Sequence, residues 1–239
     1  MTKAEEELRA LIKEIRHCFR CWDRFKDWDS QSRMLIRDLY NEGPWFFPPY
    51  RNIKGFFGTG RLVFICKIPS TSGRIFPDEK IPGDENKLFR VKLFYDSLSK
   101  CKLKNAHITD LVKCRRSTEL PGDEWRRMLN NCFCFLVKEL AILMLDHLKP
   151  ILLVAVGRDT YDVLERKEVE LKERITNELR KILALSDRDR LRTIVNERVQ
   201  IYQKPITHYA AWKRKEELEK KLIQEIGKVK EDAKQRNII

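Results

Sequence analysis

Two continuous apolar runs limit what this chain can become: Leu62-Val63-Phe64-Ile65-Cys66, and Ile151-Leu152-Leu153-Val154-Ala155-Val156 closed by Gly157. Each has the length of a strand, and neither alternates apolar with polar residues. A strand with no wet face is covered on both sides, the situation inside a parallel sheet sandwiched by helices. Two further runs read as strands, the stretch Asn105–Arg116, apolar at Ile108, Leu111 and Val112, and Arg198–Tyr202. Helical patterns lie between and around them: Ala4–Arg20, Leu88–Leu98, Asp123–Lys149, a short one at Thr160–Leu164, a charged surface helix or helix pair at Glu165–Leu185, and Lys213–Arg236. The alternation predicts a doubly wound, largely parallel four-stranded α/β sheet in a single domain over 1–239, with a charged helical insertion about 165–190 and a C-terminal helix about 213–236. The charges of 165–190 read most simply as a solvated face.

In an open parallel sheet, ligands bind beyond the carboxyl ends of the strands. Three polar loops leave such ends: Lys67–Phe76, Asp110–Arg116 and Thr207–Trp212. They are expected to converge on one face. The aromatic and proline-rich segment at 43–50 breaks regular structure and is expected to pack as an irregular cover on the sheet, the alternative being aromatics exposed to stack on unpaired bases.

A formal charge of +13 makes a polyanion, nucleic acid first of all, the expected partner. Acidic residues interleave with the basic ones throughout, so a thermophile's ion-paired surface is the competing reading. No apolar run of about 18 residues occurs and the first ten residues are charged, so a soluble, cytoplasmic protein with no membrane association is expected. In a reducing compartment the seven cysteines are not expected to form disulfides. Cys18-x-x-Cys21 is then half of a metal site, and spacing alone leaves zinc, iron-sulfur and no metal all open.

Together these pieces resemble the uracil-DNA glycosylase superfamily, and within it the iron-sulfur type called family 4. Leu11–Cys21 is similar to the family's EIR-x-C-x-x-C opening, and Ile108–Arg115 to its ITN-V-V-K-C-R. Cys132–Leu136, Leu148-Lys149-Pro150 and Val154–Gly157 resemble C-x-x-x-L, KP and V-x-LG, while Thr207–Trp212 resembles the HPAAL loop. The resemblance implies a monomeric enzyme that cleaves the N-glycosidic bond of uracil or another deaminated base in damaged or single-stranded DNA. It implies a 4Fe-4S cluster on Cys18, Cys21, Cys114 and Cys132, with Cys134 a rival for the fourth place because the spacer from Cys114 to Cys132 is long for the family.

The same resemblance allots the chemistry. Phe76 would stack on the flipped base, with Ile68 beside it; Asp110 would face the pairing edge; His208 would donate to the carbonyl oxygen where charge gathers. Ser70, Trp212, Lys213 and Arg214 would touch DNA, Trp212 as a wedge into the space left by the base. Two positions depart from the family. Where its GEAPG motif carries a carboxylate, this chain has Cys66-Lys67-Ile68-Pro69-Ser70, so Lys67 is either a solvated cation or, less expectedly, a lyase-type nucleophile. Asp110 replaces an asparagine; an ionised aspartate only accepts hydrogen bonds, which disfavours uracil unless the carboxyl is protonated. On this basis Asp110→Asn is expected to raise activity on uracil. A relative that has lost hydrolysis and kept nucleic-acid binding is the alternative.

Overall fold

A computed structural model describes residues 3–16, 60–67, 85–103, 105–113, 122–145, 148–208 and 215–239. In chain order the elements are α1 (Lys3–Arg16), β1 (Leu62–Cys66), α2 (Glu85–Lys100), β2 (His107–Asp110), α3 (Gly122–Leu143), β3 (Ile151–Ala155), α4 (Arg158–Arg166), α5 (Glu168–Leu183), α6 (Arg188–Arg198), β4 (Val199–Ile201) and α7 (Lys215–Gln235). The four strands form one parallel sheet in the order β2-β1-β3-β4. Every residue of β1, β2 and β3 is buried, as the unbroken apolar character of β1 and β3 requires, while β2 carries the polar His107, Thr109 and Asp110 inside with it.

The strand order determines where the helices go. The chain steps from β1 outward to β2 through α2, then back across β1 to β3 through α3. Right-handed crossovers in opposite directions put α2 and α3 on opposite faces. The helix contacts agree: α2 packs with α7, while α3 packs with α1 and α5, and α5 with α6. The α7 stripe, Leu218, Leu222, Ile226 and Val229, is buried throughout.

Three expectations about local structure need correction. The helical pattern from Asp123 continues to Leu148, yet α3 stops at Leu143. There the bonds tighten, with Leu145 N donating to Ile142 O at 3.0 Å, and Leu148 takes a left-handed φ of 51°, which turns the chain into β3 ahead of Pro150. The charged stretch takes one of its two expected forms, a helix pair made of α5 and α6, but it is more than a solvated face: Leu171, Ile175 and Leu179 of α5 are fully buried. The ring of Phe133 on α3 lies under Lys167 and Arg174, 4.9 and 5.6 Å from the charges, so even the cations here lean on the core. The third strand-like stretch is shorter than its apolar pattern. β2 ends at Asp110, although Leu111 N and Val112 N carry the ladder on to Cys66 O and Lys67 O at 2.8 and 3.2 Å.

Among the described residues no helix is long and apolar enough to cross a membrane.

Candidate functional site

The sheet order places a topological switch between β1 and β3, whose crossovers leave toward opposite faces. Beyond the carboxyl ends the chain places titratable side chains from all four strands. Lys67 follows β1 directly. Its ammonium is 2.7 Å from Asp159 Oδ2 and 5.1 Å from the centre of the Trp125 ring. Asp159 stands in the first turn of α4, just after β3, where the helix dipole also favours a negative charge. The Lys67 hydrogen bond and charge hold the Asp159 carboxyl below the usual aspartate range, and His208 acts in the same direction.

His208 is delivered by the end of the fourth strand. Ile206 bridges to Val156, with Ile206 N donating to Ala155 O and Gly157 N to Ile206 O, both at 2.9 Å. Glu225 of α7 clamps the next residue, accepting from Thr207 N at 2.6 Å and from Thr207 Oγ1 at 2.9 Å. The imidazole then lies against Gly157. A Cβ there would sit 3.2 Å from His208 Cβ and 3.4 Å from Cδ2, and Gly157 has φ 95° and ψ 154°, a region essentially reserved for glycine. Burial, then the Lys67 charge, push the His208 pKa down, against a smaller upward pull from Asp159. The ring is therefore neutral at pH 7 and keeps one N–H to donate.

Asp110 lies beside this group on the strand next to β1, in register with Cys66. It is only 2% exposed, and Oδ2 has no hydrogen-bond partner among the described residues. Below it sits a buried ion pair. Lys113 Nζ is 2.9 Å from Glu139 Oε2, with the two side chains 1% and 0% exposed, and Thr109 Oγ1 donates to the same oxygen at 2.6 Å. Lys113 also donates to Thr109 Oγ1. One ammonium can neutralise one carboxylate, and Glu139 has it. Among the described residues a second buried anion would have only that same ammonium to share, so Asp110 keeps its proton: burial raises its pKa from 3.8 to about 8, Lys113 opposing and Glu139 adding. The Cys66 thiol is pushed well up by burial and then by Asp110, which excludes it as a ready thiolate nucleophile.

The structure thus brings Lys67 and His208 together around Asp159 and places Asp110 at the end of the neighbouring strand. Sequence reasoning missed Asp159, although its place after a strand's carboxyl end, opening a helix, was a usable signal. Glu139 was also missed; an acid on an otherwise apolar helix face marks a buried partner. Ile68, Ser70, Phe76, Trp212, Lys213 and Arg214, and the aromatic segment at 43–50, lie outside the described residues.

Of the four proposed thiol ligands, Cys18, Cys21 and Cys114 also lie outside them; Cys132 is 2% exposed on α3. Its rival Cys134 points elsewhere on that helix, half-buried, its thiol donating to Asn131 O at 3.3 Å. Among the described residues no group of three or more His, Cys, Asp or Glu side chains is arranged to hold a metal. The chain paths bear on the fit. Lys3 and Ala4 of α1 border the same cleft as Leu143, whereas Glu14 pairs with Lys138 at 2.6 Å, so α1 runs antiparallel to α3 and ends, two residues before Cys18, heading toward Cys132. Lys113, one residue before Cys114, reaches Glu139, which shares a stripe of α3 with Cys132 at a spacing of two turns.

Compared with known proteins, the chain matches no family model, no curated protein and no solved structure.

Proposed function

We propose that the chain is a DNA base-excision glycosylase-like enzyme that receives a flipped, deaminated base at the carboxyl ends of the four strands and cleaves its N-glycosidic bond. The observation that carries this reading is the meeting of Lys67, Asp159 and His208, drawn from the ends of three strands, next to a neutral Asp110. The charge of +13 supports a polyanionic substrate.

Each group has a part in that chemistry. A protonated carboxylic acid offers an O–H donor beside a C=O acceptor, the same pattern as an amide. Asp110 therefore suits the adjacent N–H and C=O of uracil, hypoxanthine or xanthine, and the objection to uracil raised by an ionised aspartate falls away below pH 8. Neutral His208 donates its N–H to the base oxygen on which negative charge collects as the bond to the sugar breaks. Asp159 supplies the carboxylate that Cys66-Lys67-Ile68-Pro69-Ser70 lacks. It steadies the oxocarbenium-like sugar and takes the proton of the water that adds to the sugar carbon. Lys67 holds Asp159 in place and compensates its charge before substrate arrives. Phe76 and Ile68 would enclose the base, and Ser70, Trp212, Lys213 and Arg214 the DNA strand.

The approach of α1 and of Lys113 to the α3 face that carries Cys132 supports that thiol over Cys134 as the partner of Cys18, Cys21 and Cys114. A 4Fe-4S cluster held there would tie three separate segments of the chain together.

The test is single-turnover incubation with single- and double-stranded oligonucleotides bearing uracil, hypoxanthine, xanthine or a thymine mismatch. Abasic product is expected from at least one, with His208→Gln slowing it by about 10²-fold and Asp159→Asn also slowing it. The rate should fall as pH passes about 8, where Asp110 ionises, and Asp110→Asn should carry activity past that point. Binding with no abasic product on any strand would select the hydrolysis-deficient relative instead, a reading favoured by the 71% exposure of the Asp159 side chain.

A further inference from the structure

A second cleft, of about 840 Å³, opens at the opposite, amino-terminal end of the sheet, where Leu62 begins β1 and Ala106 precedes β2. Five cations border it, from four separate parts of the fold: Lys3 of α1, Arg61 ahead of β1, Lys102 after α2, and Lys230 and Lys234 of α7. No aspartate or glutamate side chain is among the described residues that line it. Two of the five are partly engaged, Lys234 with Glu231 at 2.9 Å and Arg61 Nη1 with Asn237 O at 3.3 Å. Lys3, Lys102 and Lys230 form no close ion pair among the described residues, although the Lys230 charge is felt by Glu231 beside it. Cations gathered around a concavity repel one another, an arrangement stabilised when a multiply charged anion lies between them.

The cleft has a built wall and floor. Gly60 lets the backbone of Asn105 pass so close that a Cβ would stand 1.9 Å from its carbonyl oxygen. Lys102 is turned toward this end by a left-handed φ of 59°. Aliphatic side chains, Leu62, Leu103 and Leu143 among them, floor the space. The volume falls in the range of small-molecule sites, and a bounded hollow accommodates a compact anion better than a duplex rod.

We infer that this cleft binds a small ligand carrying two or more linked phosphates, of the nucleoside di- or triphosphate class, with the phosphates among Lys102, Lys230 and Lys234 and the non-ionic body against the aliphatic floor. The site is separate from the proposed base pocket and does not depend on that assignment. Calorimetric titration of the full chain with ATP, inorganic triphosphate and inorganic phosphate tests it. ATP and triphosphate should bind at low salt and phosphate weakly. The double variant Lys102→Gln/Lys230→Gln should weaken ATP binding about ten-fold or more and reduce its salt dependence. Lys228→Gln, which removes an exposed charge from the same helix, should change it little. Thermal melting of each variant excludes misfolding as the cause. Absence of ATP binding, equal loss in Lys228→Gln, or displacement of bound triphosphate by short duplex DNA as readily as by ATP would overturn the inference.

Discussion

Replacing Asp110 by asparagine should stabilise the protein, and by an amount that grows with pH. Asp110 is fully buried, with its pKa raised from 3.8 to about 8. Between those values the folded state holds a proton that the unfolded chain releases, so unfolding sheds protons and the stability of the wild type falls as pH rises. Each pH unit is worth about 1.4 kcal/mol. Across roughly four units the aspartate costs at most about 6 kcal/mol, reached near pH 8 and constant above it, when both states are ionised. Asparagine has nearly the same shape and never ionises, so it removes that slope while any fixed difference in hydrogen bonding remains the same at every pH. Urea unfolding of both proteins at several pH values from 4 to 9 reads the gap directly. It should be smallest near pH 4, widen steadily, and level off above pH 8. A gap that stays flat from pH 5 to 8, or a wild type that gains on the variant as pH rises, would refute the argument that burial outweighs the share of the Lys113 charge that reaches Asp110.

The buried pair makes its own prediction: Lys113→Met leaves Glu139 unpaired in the core and should cost about 3–5 kcal/mol, whereas Lys113→Met/Glu139→Leu should recover much of it, as a double-mutant cycle in urea would measure. Gly157→Ala forces a side chain into φ 95° and against His208, costing about 1–3 kcal/mol and displacing the His208 ring resonances in NMR spectra. Glu225→Gln weakens the clamp on Thr207 by about 1–3 kcal/mol, and faster amide hydrogen exchange at Thr207, with exchange in β1 unchanged, is the expected sign.

The sheet was legible because its evidence is local. Leu62–Cys66 and Ile151–Ala155 have no polar position to turn toward water, so a doubly covered parallel sheet follows from the residues alone. The α7 stripe and the inward face of α2 were legible for the same reason, a period repeated within one segment. Where a competing local signal existed the reading failed: the charges of α5 obscured Leu171, and the apolar period through Leu148 hid the turn that ends α3. Lys67, Asp110 and His208 were legible as residues at strand ends, but not in their chemical states.

From its sequence alone, the protein is determined to be a basic α/β chain with polar loops after its strands, since covalent order and hydrophobic period suffice for that. Only the tertiary structure decides that Lys67 meets Asp159, that Glu139 claims Lys113, and that Asp110 is left neutral. Those partners stand 92 and 26 residues apart in the first two cases, and the charge a group carries depends on which distant groups share its water-free surroundings.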